Sequence, residues 1–372
     1  MRIVQLANLY SPVSGGLRTA VDALGRGYVR AGHERVLVFP GPRPSVREGE
    51  HGTVITVPGP SVAPGYRFVL DPRPVLRVLE RLKPQVVEVS DKATLTVAAR
   101  WGRRHGVRSV LFSHERLDAI LSSRVPFPGL LERGGDRWNR RLAGAFDAVV
   151  ATSEFSAAEF LRVGAENVHL VPLGVDLRTF RPCFSRPGRP VRLVHLSRLS
   201  REKRPDLALA AVRELLRRGV DVRLDVIGEG NLRRPLARAA RGLPVTFHGH
   251  LGSRAELARL LGTADVALAT CPVESFGLAV LEALACGTPV VTADSGAARE
   301  LLAPGAGVAV PASGRGFADG VERMLSRPVA DRRAAARRRA EGYPWKAAVE
   351  GMIRVLSGGG DGYPGSGGTL KP

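Results

Sequence analysis

VRLVHLSRLSREK, residues 191–203, restarts a pattern that the chain has already run through once. Val191–Ser197 reads as a buried strand, and the loop behind it leads into a helical stretch. Further strands are expected near Arg223–Ile227, Val245–His248, Val266–Ala269 and Pro289–Thr292, with helices between them. Upstream, Arg2–Tyr10 is a strand, SPVSGG (Ser11–Gly16) a loop, and Leu17–Ala31 a helix. Short apolar runs follow at Arg35–Phe39, Val54–Val57, Val86–Val89, Ser109–Phe112, Ala148–Ala151 and Val168–Val171. Strands that alternate with helices predict an α/β fold with parallel sheets. The Pro/Arg-rich stretch Arg181–Pro190 separates the two sets, giving Rossmann-like domains over residues 1–180 and 191–342 with a linker at 181–190. A helical segment over 343–357 precedes a Gly-rich tail, 358–372, which composition predicts to be disordered.

Composition narrows the function. A chain of 372 residues suits two domains, and 44% hydrophobic with 24% charged residues is globular rather than disordered. No apolar run reaches the roughly 18 residues of a membrane span, and the first residues lack the pattern of a signal peptide. Three scattered cysteines, Cys183, Cys271 and Cys286, lack C-x-x-C spacing and fit a reducing, cytoplasmic setting. The net charge of +20 raises the question of nucleic acid. Yet the excess is spread along the chain and is almost all arginine, 50 of 55 basic residues. With aromatics at 5%, few platforms exist for stacking bases, so nucleic acid is not the expected partner.

The motifs that carry chemistry sit at strand ends. In ESFGLAVLEALACGTPVV, Glu274–Val291, a glutamate follows a strand and a Cys-Pro turn and precedes a helix that stops at Gly287. A helix start near Phe276 makes the backbone N–H groups of Phe276, Gly277 and Leu278 donors for an anion, which Gly277 lets come close. Glu282 lies about two turns beyond Glu274 in otherwise apolar company, and a glutamate so placed needs a partner. In SRLSREK, Arg198 and Lys203 occupy the loop at the carboxyl end of a strand, where open α/β sheets bind ligands. Two cations there can neutralise a diphosphate without a metal. Gly15 and Gly16 open a helix and let backbone approach a phosphate or sugar. His114, in LFSHERLD, follows another strand end. Neither Asp-x-Asp nor clustered metal ligands are present, and no G-x-G-x-x-G follows a strand, so neither a catalytic metal nor a dinucleotide cofactor is expected. Taken singly, each feature is also what a solvated charge pair, a Gly turn or a structural histidine looks like.

Their order is more telling. Together with VPLGVDLRTFRP (Val171–Pro182) and GEG (Gly228–Gly230), these motifs resemble the retaining nucleotide-sugar glycosyltransferases of family 4, over nearly the whole chain. GGLRTAVD and SHERLD are similar to segments of the actinobacterial GDP-mannose-dependent α-mannosyltransferases that act on membrane glycolipids. Gly296-Ala297 stands where the family often carries two glycines before a glutamate, here Glu300. The resemblance implies the GT-B fold, two Rossmann-like domains facing a central cleft, with the C-terminal helix crossing back to the first domain. It implies a donor, GDP-mannose in preference to a UDP-sugar, and a glycolipid or other glycoside acceptor. Gly16, Arg198 and Lys203 would hold the diphosphate, Glu282 the ribose, Glu274 the transferred hexose beside the amides of Phe276, Gly277 and Leu278. His114 would sit by the sugar and the acceptor, and the base near Gly228–Gly230 and His248–Leu251. A lipid acceptor implies work at the membrane surface as a peripheral protein. Arg100, Arg103, Arg104 and Arg108, then Arg133, Arg137, Arg140 and Arg141 with Trp138, Phe127, Leu130 and Leu131, are the candidate contacts for anionic headgroups.

Overall fold

Strand β1 (Arg2–Leu6) buries Ile3, Val4 and Leu6 completely, so it needs neighbours on both edges and layers on both faces. The computed structural model, which describes residues 1–11, 14–114, 128–183 and 190–359, supplies them. The chain forms two compact units. One is Met1–Leu173 with the returning segment from Trp345, and the other is Gly174–Pro344.

The first unit holds β1, β2 (Glu34–Gly41), β3 (Ser45–Arg47), β4 (Thr53–Pro58), the hairpin β5 (Ser61–Ala63) and β6 (Tyr66–Arg67), then β7 (Val86–Val89), β8 (Arg108–Ser113), β9 (Ala148–Ala151) and β10 (Val168–Leu170). Eight of these make one sheet in the order β10-β9-β8-β7-β1-β2-β4-β3, parallel except for β3 on β4. Its helices are α1 (Gly16–Arg30), α2 (Arg73–Leu82), α3 (Val97–His105), α4 (Pro128–Ala145) and α5 (Glu154–Leu161). Among the polar residues buried in this unit, Gln5 and Glu88 are partners in register across β1 and β7. Gln5 Nε2 donates to Glu88 Oε1 at 2.9 Å, Tyr28 Oη donates to Glu88 Oε2 at 2.7 Å, and Arg35 Nε donates to Gln5 Oε1 at 2.8 Å. Burial raises the Glu88 pKa, while the bonds from Tyr28 and Gln5 pull it back.

The second unit holds β11 (Val191–Leu196), β12 (Val222–Ile227), β13 (Val245–Gly249), β14 (Val266–Ala269), β15 (Val290–Ala293) and β16 (Gly307–Val310). All pair in parallel, in the order β13-β12-β11-β14-β15-β16. Counted within the unit this is 3-2-1-4-5-6, the Rossmann order, which reverses direction between its first and fourth strands. Helices α6 (Pro205–Arg217), α7 (Arg233–Ala239), α8 (Arg254–Thr263), α9 (Leu278–Ala285), α10 (Gly314–Leu325) and α11 (Val329–Glu341) complete it. The first helix of this set buries Leu207, Ala208, Ala211, Val212 and Leu215, the spacing of one helical face.

The chain then returns. Helix α12 (Trp345–Leu356) packs on α1 of the first unit. Gly27 receives Val349, whose Cγ2 would lie 2.2 Å from an added Cβ, and Arg108 Nε donates to Val355 O at 3.0 Å. Both glycines inside α1 are therefore packing residues, Gly25 making the same room for the Arg35 guanidinium. The division of the chain falls between Leu173 and Gly174, whereas the sequence reading carried the first domain to residue 180. Val175 N donates to Tyr343 O at 2.9 Å and Phe180 is fully buried, so this stretch is built into the second unit. Residues 184–189 of the expected linker and 360–372 of the expected tail lie outside the described residues.

Candidate active site

In the second unit, the reversal of strand order lies between β11 and β14, and the loops leaving their carboxyl ends are Ser197–Arg204 and Thr270–Gly277. At such a point the connections from two paired strands leave toward opposite faces of the sheet, and the crevice between them is one that ligands use. Gly228 and Gly230 clamp the first loop. A Cβ on Gly228, whose φ is 128°, would lie 1.9 Å from Ser197 O, and one on Gly230 would lie 2.3 Å from Leu199 O. Leu199 N donates to Glu229 O and Leu232 N donates to Leu199 O, both at 2.9 Å. The loop ends in a tight turn, Arg201–Lys203, with Arg204 in left-handed backbone ahead of Pro205.

Lys203 reaches across to the second loop. Its Nζ donates to Glu274 Oε2 at 2.8 Å, and its own carbonyl accepts from Thr270 Oγ1 at 2.8 Å. Burial opposes the Lys203 charge, yet the Glu274 carboxylate outweighs it and raises the pKa above the ordinary lysine value. Arg198 stands differently, 52% exposed and only loosely paired, with Nη2 3.8 Å from Glu202 Oε1. A half-exposed guanidinium beside a fixed ammonium is an arrangement that can take an anion.

The Glu274 loop is braced from behind. Gly296 adopts φ 76°, and a Cβ there would lie 2.9 Å from Glu274 N. Ala297 N donates to Glu274 O at 2.7 Å and completes the brace. Gly277 is in left-handed backbone, φ 106°, and serves as the N-cap, so the helix starts at Leu278 and not near Phe276. The amides at its positive end are accordingly those of Leu278 and Ala279. Phe276 is an anchor, buried with its ring edge-on to Tyr343 at 6.5 Å.

Glu282 lies on α9 with only 8% of its surface exposed, and it has the partner that its apolar setting demands. Arg254 Nη2, from the first turn of α8, donates to Glu282 Oε1 at 3.2 Å. Burial raises the Glu282 pKa to about 7, with Arg254 pulling it down and Asp176 pushing it up. Neither Arg254 nor Asp176 was legible in the sequence, because both reach Glu282 only through the folded chain.

The first unit brings its own set to the carboxyl ends of β1, β7 and β8. Gly15 is the N-cap of α1, with nothing within 4 Å of where its Cβ would be. Pro12 and Val13 of the Gly-Gly loop lie outside the described residues, as do residues 115–127, with Phe127 among them. His114 closes β8, its ring stacked on Phe112 at 5.9 Å and its Nδ1 3.4 Å from Phe112 O. On the neighbouring strand end, Asp91 Oδ2 accepts from Leu95 N at 2.8 Å. Burial raises the Asp91 pKa, and bonds from the Leu95 and Ala93 amides and from Asn8 offset part of the rise, with His114 adding least. Trp138, expected at a membrane surface, instead turns inward: Nε1 donates to Lys92 O at 2.9 Å, and its ring carries Arg141 on the outer side. Arg103 and Arg108 are also spoken for, by the carbonyls of Gly144 and Val355, while Arg137 and Arg140 are exposed. Among the described residues, no group of three His, Cys, Asp or Glu side chains could hold a metal ion.

Two family models divide the chain between them, glycosyltransferase family 4 over residues 14–179 and glycosyl transferases group 1 over 178–342. A mannosyltransferase of Mycobacterium tuberculosis, the GDP-mannose-dependent α-(1-6)-phosphatidylinositol dimannoside enzyme, is 45% identical over 96% of this chain and 96% of its own. The chain belongs to the family 4 glycosyltransferases. Solved structures agree on the fold of this glycosyltransferase. Sucrose-phosphate synthase of Thermosynechococcus elongatus matches 96% of the chain, and 98% of its own, with a TM-score of 0.80 at 20% identity. Anabaena HepE, solved with UDP-glucose, matches 96% of the chain and 100% of its own with a TM-score of 0.75 at 18% identity. The fold is thus GT-B, two Rossmann-like units, and the chain is a glycosyltransferase.

Proposed function

We propose that this glycosyltransferase moves mannose from GDP-mannose to a hydroxyl of a glycolipid, keeping the anomeric configuration and using no metal. The observation that carries the reading is the Lys203–Glu274 pair beside half-exposed Arg198 at the point where the strand order of the second unit reverses. Lys203 and Arg198 take up the charge that grows on the diphosphate as the sugar leaves, stabilisation that is greatest in the transition state. Glu274, fixed by Lys203 and by the Ala297 amide, accepts from hydroxyls of the hexose. Glu282 accepts from the ribose hydroxyls, and the Leu278 and Ala279 amides face the same anion. In the first unit, Gly15 and Gly16 at the start of α1 suit a phosphate or sugar, and His114 at the end of β8 suits a sugar or an acceptor hydroxyl. The acceptor oxygen bonds to the anomeric carbon as the bond to the diphosphate breaks, and its proton passes to a phosphate oxygen. Attack on the leaving group's own face retains configuration without an enzymic nucleophile, so Glu274 and Glu282 are not a glycosidase pair.

The donor and acceptor are supported by the relative that is 45% identical, which its name describes as using GDP-mannose and a phosphatidylinositol dimannoside. No helix among the described residues is long and apolar enough to cross a membrane, so a lipid acceptor is met from the surface. Thermal stabilisation across a panel of nucleotide sugars, followed by transfer of labelled mannose to a mannosylated phosphatidylinositol, tests the reading. Stabilisation by GDP-mannose and a labelled lipid product are expected. Stabilisation by UDP-sugars alone would overturn the donor.

A further inference from the structure

We propose that Arg254 is a positioning residue for the donor: it holds one oxygen of Glu282 and keeps that carboxylate charged, leaving the other oxygen for the ribose. The proposal rests on reading Glu282 as the ribose ligand and adds the group that makes it fit for that task. Arg254 opens α8 directly after Ser253, whose Oγ caps the helix by accepting from Glu256 N at 3.2 Å. Its guanidinium lies over the buried Phe180 ring, 4.8 Å from the centroid. Held there by the ring's negative face, the guanidinium reaches Glu282 Oε1 through Nη2 at 3.2 Å. The platform is itself held. Phe180 N donates to Asp176 O at 2.9 Å, and Arg337 Nη1 donates to Phe180 O at 2.9 Å.

Strands β14 and β15 bring no charge to the helix that carries Glu282, while other segments near it bring charged or titratable groups. The segment before Phe180 brings Asp176. Its own burial would raise its pKa, but bonds from the Thr179 hydroxyl and the Thr179 and Arg178 amides hold it below the ordinary value, so it stays charged. One turn along α9 lies Cys286, whose thiol burial pushes up to about 12 and which is therefore neutral. Helix α11 brings Arg337, which donates to the Ala285 carbonyl and pairs with Glu341. Burial and Asp176 both drive Glu282 toward the neutral acid, and Arg254 is what opposes them. The distinction matters to a ribose, because its hydroxyls donate and a carboxylate only accepts, whereas a neutral carboxyl gives up part of that capacity.

The test measures GDP affinity by calorimetry from about pH 6 to about pH 9 on the full chain, as wild type, Arg254→Gln, Arg254→Lys and Glu282→Gln. Wild-type affinity should weaken as pH falls through neutrality. Arg254→Gln should bind about fivefold more weakly at neutral pH, for a midpoint displaced upward by one unit from about 7, and recover most of the loss at the alkaline end. Arg254→Lys, which restores the charge, should return part of the neutral-pH affinity. Glu282→Gln should bind weakly and without this pH dependence. An Arg254→Gln profile with an unmoved midpoint, beside a weak Glu282→Gln, would sink the role given to Arg254 alone. Wild-type affinity in Glu282→Gln at every pH would remove the ribose reading and this proposal together.

Discussion

Lys203 and Glu274 compensate each other, and removing either leaves a half-buried charge without this partner while deleting a group proposed to touch the donor. Lys203→Ala and Glu274→Ala should each lower kcat/KM by at least about a hundredfold, the size of a lost transition-state contact, with folding retained by circular dichroism. Near-normal turnover in either variant would show that the reaction happens elsewhere. Glu282 tells a different story, since its pKa rises on folding to about 7 from an ordinary 4.5. A carboxyl raised in this way has its full stability below the unfolded value and loses it as pH climbs through the folded one. Glu282→Gln should therefore gain on wild type between about pH 4.5 and pH 7, by at most about 3–4 kcal/mol. Thermal melts of the ligand-free proteins against pH check this, the slope of the difference and not its offset being the prediction.

At the scale of elements, glycines govern how tightly pieces approach. Gly27→Val should wedge α12 from α1 and cost about 1–3 kcal/mol, seen as a lower Tm with donor affinity kept. Gly296→Ala should do the reverse. The left-handed backbone and the crowding of Glu274 N strain the brace, so transfer should fall further than the Tm, which parallel assays of both will show. Sequence periodicity read the strands well because parallel strands buried on both faces are runs of apolar residues; Val86–Val89, Ala148–Ala151 and Val266–Ala269 coincide with β7, β9 and β14. It missed β16, four residues set between Gly and Pro, and the edge pieces β3, β5 and β6, which are too short and too exposed to carry a pattern. The start of α9 was misread since a left-handed Gly277 cap looks, in sequence, like a first helical turn. At the candidate site, Lys203 and Glu274 stand out in the sequence by their places beside strand ends, and Glu282 by its apolar helical company. Arg254, Asp176 and the brace from Ala297 were not, because each acts on a residue far away along the chain.

For the whole molecule, charge is the property that most exceeds what folding needs. A net +20 with Arg137 and Arg140 exposed on α4 suits attraction to anionic headgroups, each nearby cation adding about 1 kcal/mol. Flotation with anionic vesicles, weakened by salt and by charge reversal at Arg137 and Arg140, is the expected result. Equal failure to float with anionic and neutral lipid would direct attention to a soluble acceptor. Trp138 points the other way from this surface, so Trp138→Phe should leave flotation unchanged.

The return of α12 to α1 has a consequence for the order in which the protein is made. Gly174–Pro344 is one uninterrupted stretch, while the other unit waits for residues beyond Trp345 to cover the groove at Gly27 and meet Arg108. Synthesis from the N-terminus usually lets the first domain finish first. Here the later half is whole before the earlier one is. A free chain truncated just after Pro344 should present a protease-resistant second unit and a still-labile first, and the chain with α12 restored should close the difference.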